Sequence, residues 1–208
     1  RELAEKIDLR QSFTAEASLV ESDISNKALT KWLKEYNSFT PNFAPWLSFV
    51  FSVLSVAFIS LLFLGFLELK HVLLWLLIGI GITGIYLKKI NVLLQFINQT
   101  QSVFQQNKAL IRLLEDANFT SEKLKDIQSH LRSDTQSASN HIHRLTKLID
   151  ALEQRNNLLL GIFLNGFLLW DIRLCHKIEK WMAVHGAKVD NWLDAIVEID
   201  AQNSLANF

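Results

Sequence analysis

Apolar and polar positions follow three successive patterns along the chain. In residues 1–42 a polar background carries apolar side chains at helical spacing: Leu3, Ile7 and Phe13, then Ala28, Leu29, Trp32 and Leu33. Recurrence at three and four residues puts such side chains on one helix face. Ser25 or Asn26 is placed to cap the second of these helices, and Thr40-Pro41-Asn42 to end it. The pattern then changes. From Phe43 to Leu67 there are 25 residues without a charge, 16 of them Phe, Leu, Ile or Val. About 20 such residues suffice to cross a bilayer, so the run predicts a transmembrane helix. Pro45 falls in its first turn, where the missing N–H is harmless. Trp46 falls at the interface that aromatic rings favour.

Glu68-Leu69-Lys70-His71 reads as a tight polar link. The second apolar run, Val72 to Leu87, has 16 residues, about 24 Å of helix against a hydrocarbon core of about 30 Å. Tyr86 as an interface anchor, snorkelling Lys88 and Lys89, and the apolar Val92 to Leu94 extend it to a second span. Small residues mark both runs: Ala44, Ser48, Ser52 and Ser60 on the first, Gly79, Gly81 and Gly84 on the second. Small side chains let helix backbones approach in lipid. The expected contact between the spans therefore includes Gly81 and Ser52, with Leu77 facing lipid.

The third pattern, residues 91–208, reads as soluble helices. One helix continues from the membrane to about Ala117, with Phe96, Val103, Phe104, Leu110, Ile111 and Leu114 apolar. Asn118 to Ser121 break it, a short helix covers 121–132, and Ser133 to Ser137 connect onward. From Ala138 a long helix is expected to reach His185, with Ile142, Leu145, Ile149, Leu152 and Leu159 at three-four spacing. Its stretch Leu158 to Trp170 is apolar all round, short, and interrupted by Asn165. It reads as a buried core helix, the alternative being a re-entrant or interfacial segment. Gly186 is placed to end the long helix. A last helix, Val189 to Leu205, would turn Trp192, Leu193, Ile196 and Val197 inward, and Trp170, Trp181 and Trp192 would be buried where the two meet. The fold class expected is all-α: a long-helix core or lever bundle with an inserted two-helix transmembrane hairpin. Its parts are cytoplasmic amphipathic helices (1–42), the hairpin (43–90) and a cytoplasmic helical core or lever region (91–208).

Composition adds constraints. Half of the residues are hydrophobic but mean hydropathy is only +0.17, so apolar side chains are clustered. Basic and acidic residues number 21 each, which removes a global electrostatic reason to bind nucleic acid. Residues 91–208 alone hold 12 basic and 13 acidic side chains. The single Cys175 excludes an internal disulfide and reads as an inert packing residue. The chain starts at Arg1 with mixed charge and no signal-peptide pattern, so it reads as an excised or processed segment.

No motif predicts chemistry. Gly79-Ile80-Gly81-Ile82-Thr83-Gly84 matches G-x-G-x-x-G, but no strand precedes it, and a dinucleotide site needs one. His141 and His143 point different ways on a helix, and His176 and His185 have no partner at metal-ligand spacing. Asp171 and Glu179 read as ion-paired surface or core-edge groups. No catalytic, cofactor-binding or metal-binding residue is assigned, and the spans contain no ionisable residue, which speaks against an integral-membrane enzyme.

The strings LWDIRLCHKIEKW (169–181) and WLDAIVEIDAQNSLANF (192–208) resemble the end of the helical core, or lever, of the MutS family. They are most similar to its membrane-associated bacterial ATPases. A pattern like D-A-x-x-S-L-A precedes the ATPase domain there and is matched by Asp200-Ala201-Gln202-Asn203-Ser204-Leu205-Ala206. Ile142 to Leu145, Leu152, Arg155 and Asn156 are similar to the preceding long helix. The resemblance covers residues 138–208 and implies a DNA mismatch-repair-family parent. Its ATP and Mg would bind in a domain after Phe208, and that domain would form a homodimer. DNA is a possible partner that the charge of this segment does not support. The resemblance also implies a bacterial inner-membrane location, with the lipid bilayer as partner. The rival expectation is a membrane-anchored helical adaptor or oligomerisation module without an ATPase.

The lysines Lys31, Lys34, Lys88 and Lys89 flank the hairpin, whereas its link carries one Lys and one Glu. Basic residues accumulate on the cytoplasmic side, so both termini are expected there and the link outside. In intact cells a Lys70→Cys variant is expected to react with an impermeant thiol reagent and a Ser121→Cys variant is not. The reverse labelling overturns this topology.

Overall fold

The computed structural model describes residues 2–18, 26–132 and 137–205, and among them there is helix but no strand. The helices are α1 (Glu2–Glu5), α2 (Ile7–Ser18), α3 (Asn26–Glu35), α4 (Ala44–Phe63), α5 (Leu69–Asp116), α6 (Glu122–Leu131), α7 (Ala138–Glu153), α8 (Leu158–Leu168) and α9 (Trp170–Leu205). Ser25 as a cap, and most of the Ser133–Ser137 connection, lie outside the described residues. The chain divides into two compact units. The first takes residues 1–36, 98–146 and 182–208; the second takes 37–97 and 147–181.

Among the described residues two helices are long and apolar enough to cross a membrane, Ala44–Phe63 and Leu69–Asn98, and all but Asn98 of these belong to the second unit. The first is shorter than its apolar run predicts. Gly65 adopts φ +79, a left-handed conformation open to glycine, and turns the chain before the charged residues arrive. The link therefore precedes Leu69, and Lys70 pairs with Glu68 at 2.8 Å. Between the spans, Trp75 stacks on Phe51 and Phe58 with centroids 4.4 and 4.7 Å apart.

The small-residue contact differs from expectation. A Cβ at Gly81 would meet nothing within 4 Å, so no close helix approach falls there, and Ser52 is half-buried with its hydroxyl donating to Ser48 O of its own helix. Gly79 instead lies against α8: a Cβ there would sit 2.3 Å from the Gly166 carbonyl oxygen. Gly166 in turn abuts Leu76. Gly79 is ten residues into α5, or about 15 Å, half the thickness of a hydrocarbon core. Helix α8 also packs on α4.

Nor is α8 the buried core helix expected. Leu158, Leu159 and Phe163 are 75%, 68% and 56% exposed. With 11 residues it is about 16 Å long, too short to cross. It is an apolar helix with one side on the hairpin and the other uncovered. The long helix expected over 138–185 is broken twice: by a 3-10 turn at Gln154–Asn156 and by Leu169, at φ 49 and ψ 45. Asn157 starts α8, its Oδ1 accepting the Leu160 N–H at 3.3 Å.

Gly186 does not end a helix. It lies inside α9, which runs unbroken for 36 residues, so no antiparallel pair forms there. A glycine inside a helix costs about 1 kcal/mol. Val189, Trp192, Leu193 and Ile196 are buried beyond it, and one buried aromatic outweighs that cost. Val197 is 57% exposed, against expectation. Trp181 and Trp192 are buried, whereas Trp170 is half-buried with its indole N–H on Ala151 O at 3.0 Å.

In the first unit, helix ends are closed by side chains. The Glu2 carboxylate accepts the Thr120 and Ser121 N–H groups, at 2.8 and 2.7 Å, where α6 begins. These bonds hold its pKa below the usual carboxylate value. Buried Glu115 accepts the Ser139 N–H at 3.1 Å at the start of α7. The Gln128 amide donates to the Leu114 and Ala117 carbonyls, both at 2.7 Å, at the end of α5. Free N–H groups at a helix start favour a negative charge.

Gly79→Ala is expected to lower stability in detergent by about 1–3 kcal/mol, the usual range for overpacking, whereas Gly81→Ala is expected to be neutral or slightly stabilising. Unfolding midpoints in a denaturing-detergent titration check this; equal effects of the two would overturn the backbone contact.

Candidate functional site

Three polar groupings stand out in the second unit. The first joins three helices. Trp75 Nε1 of α5 donates to Ser55 Oγ of α4 at 2.8 Å. Ser55 Oγ lies 2.8 Å from its own helix's Phe51 O and 2.7 Å from Phe167 O of α8, and its single proton serves both. Phe167 lies in the last turn of α8, where carbonyls have no partner within the helix. The serine hydroxyl thus satisfies an acceptor that would be costly to leave bare among apolar side chains.

The second grouping lies at the other edge of α8. Asn165 Oδ1 accepts the Asp171 N–H at 2.9 Å and so caps the first turn of α9. Asp171 is 1% exposed, and its Oδ2 lies 3.0 Å from Arg155 Nη1. That nitrogen is within ion-pair distance yet makes no directed hydrogen bond, and Asp171 Oδ1 and Thr83 Oγ1 also lack a partner. The third grouping holds the entry to α4. Buried Glu179 accepts Ser38 Oγ at 2.6 Å and the N–H groups of Phe39 and Thr40 at 2.9 and 3.1 Å. Thr40 Oγ1 donates to Glu179 as well and lies 3.1 Å from His176 Nδ1. The carboxylate thereby fixes the residues that lead into the first span.

Asp171 and Glu179 are thus buried groups, not surface ones. Asp171 is ion-paired as expected, and Glu179 accepts the N–H groups of Phe39 and Thr40. Cys175 is fully buried. The residues that pattern reading missed are Ser55, Thr83 and Arg155. Ser55 lies off the four-residue stripe of serines, and that offset is its one signal. Thr83 falls in the glycine motif and Arg155 in the resembling long helix, but nothing brings the two together until α8 folds back. Among the described residues no three His, Cys, Asp or Glu side chains gather as metal ligands. The groupings have the chemistry to bind and to hold helices together; the one hydroxyl beside an imidazole among them, Thr40 next to His176, directs its proton to Glu179.

Among the described residues the first unit gathers a cluster of titratable rings. The His141 and His185 rings lie 4.0 Å apart, and His141 is nearly parallel to Trp192. Burial, with His141, Lys188 and Arg144 nearby, pulls His185 down to about 4. Burial, Arg144 and Lys188 lower His141, with Glu115 opposing. The folded chain therefore binds fewer protons here than the unfolded chain. The stabilisation is complete above about 6.5, the ordinary imidazole value, and is lost as pH falls towards 4. Thermal unfolding of the chain between pH 7.5 and 4.5 is expected to show this loss, and His185→Gln is expected to flatten it. An unchanged slope in that variant would remove His185 as its source.

No family model, curated protein or solved structure matches the chain.

Proposed function

We propose that this chain is the membrane-anchored helical core or lever segment of a MutS-like ATPase. It couples an ATP-binding domain that follows Phe208 to the bilayer. The observation that carries the reading is the continuity of α9. One unbroken helix of 36 residues starts beside the apolar α8 and ends in Asp200-Ala201-Gln202-Asn203-Ser204-Leu205, the string that resembles the family's approach to its ATPase domain. The lever is α9, not a helix over 138–185. A helix without a break resists bending, so displacement of its C-terminal end is carried along its length. Glu179 and the Asn165 cap tie its first turns to the lead-in of α4 and to α8.

In this reading both termini are cytoplasmic, the membrane is a bacterial inner membrane, and the ATPase domains of two copies dimerise. The segment itself performs no chemistry. Gly79 to Gly84 lie inside α5, where the N–H groups are engaged in the helix and none is free for a phosphate. The purified chain is expected to show no saturable ATP binding at micromolar concentration by calorimetry, and the coding sequence after Phe208 is expected to contain a G-P-N-x-x-G-K-S-type loop. A stop codon directly after Phe208 replaces this reading with the helical adaptor. Saturable ATP binding by the segment contradicts the absence of chemistry within it.

A further inference from the structure

The cavity beside the Arg155–Asp171 pair holds about 190 Å³ and opens on one side. At about 30 Å³ per water, that is room for roughly six waters, more than one bridging solvent molecule needs. It is less than the 300–1,000 Å³, on the order of magnitude, that encloses a whole small molecule. A ligand seated here leaves most of itself outside. The wall combines Thr83, Arg155 and Asp171 with the apolar Ile80, Leu87 and Ile162. Thr83 and Asp171 are 5% and 1% exposed.

Thr83 Oγ1, Arg155 Nη1 and Asp171 Oδ1 are buried without hydrogen bonds. This is not how the apolar helices treat hydroxyls elsewhere. Ser48, Ser52, Ser55 and Ser60 each donate to the carbonyl four residues back. Buried polar groups left bare are rare and costly. A ligand seated here would accept from Thr83 and from Arg155, which already faces Asp171 Oδ2 at 3.0 Å, and would donate to Asp171 Oδ1, within a space too small for two separate ions with their shells. A phosphate next to an ammonium meets all three demands. Thr83 is five residues before Lys88, about 7.5 Å of helix, which sets it just inside the snorkelling lysines. The apolar wall and the uncovered side of α8 suit acyl chains.

We propose that this cavity binds the headgroup of a phosphatidylethanolamine-type lipid, its phosphate facing Arg155 and Thr83 and its ammonium donating to Asp171 Oδ1. The inference rests on α4 and α5 spanning a membrane and is independent of an ATPase parent. The full chain, purified in detergent, is offered phosphatidylethanolamine, phosphatidylcholine and phosphatidylglycerol with identical acyl chains, and bound lipid is read by native mass spectrometry. Choline keeps the phosphate but has no N–H; glycerol keeps the phosphate but has no cation. Phosphatidylethanolamine is expected to be retained about tenfold or more over both, as befits a hydrogen bond to a charged group. Asp171→Asn is expected to abolish that preference. Thr83→Val is expected to weaken retention severalfold with an unchanged melting temperature. Equal retention of the three lipids, a preference for phosphatidylglycerol, or a preference that survives Asp171→Asn overturns the proposal. Should Asp171→Asn fail to fold, the lipid series on the unsubstituted chain and Thr83→Val decide it.

Discussion

The backbone contact between Gly79 and Gly166 is the constraint on which the membrane-facing unit depends. No side chain larger than hydrogen fits there: a Cβ on Gly79 would stand 2.3 Å from one carbonyl oxygen and 2.9 Å from the next, that of Asn165. Because α5 and α8 approach so closely, the last turn of α8 lies midway along the spans. Its Phe167 carbonyl must then find a donor among apolar side chains, and Ser55 supplies it. The chain must also leave α8 at once, which it does through Leu169 in the left-handed region, fully buried. A non-glycine residue is strained there. Burial of the leucine side chain and the Asn165 cap on the following turn hold it in place.

The two units close their helix ends by different means. In the first unit carboxylates cap helix starts: Glu2 for α6 and the buried Glu115 for α7. In the second, neutral groups do the work nearest the apolar runs: the Ser55 hydroxyl, the Trp75 indole and the Asn165 amide. A charged group at that depth requires a partner and room to hydrate. The Arg155–Asp171 pair is the exception, and it is also where buried polar atoms remain unbonded. Among the described residues of the second unit, the buried side-chain atoms without a hydrogen bond gather at the cavity, which is why that cavity reads as a site and not as a packing fault.

Much of the architecture was legible from periodicity. The hairpin, the continuation of its second helix to Asp116, and the short α6 follow from apolar spacing and charge. What failed has a common cause. Leu158 to Leu168 is apolar on every side, so periodicity cannot tell a helix wrapped in protein from one with a side left bare. The breaks at Gln154–Asn156 and Leu169 contain neither proline nor glycine, the usual punctuation. Gly186 is such a signal, yet the helix runs through it. A Cβ there would find Leu33 at 3.6 Å, an ordinary contact, so no close approach demands the glycine. Packing on either side overrides the local preference, as tertiary context does for propensity in general.

The polar cluster was illegible for a different reason. Thr83 lies in one apolar run, Arg155 in a turn and Asp171 after a second run, 88 residues from Thr83 in sequence. Thr83 reads alone as a helical threonine and Asp171 as an ion-paired surface or core-edge group. Only the return of α8 to Gly79 gathers them. Asn165 was the one visible hint, since an amide inside an apolar stretch needs partners. It argued against a crossing helix, and the 11-residue α8 is too short to cross by itself. The same residue argues for what α8 does instead: a helix that must turn back among apolar side chains needs an acceptor for the N–H groups of the next helix start. Asn165 brings it, capping α9 and leaving Asp171 beside Arg155.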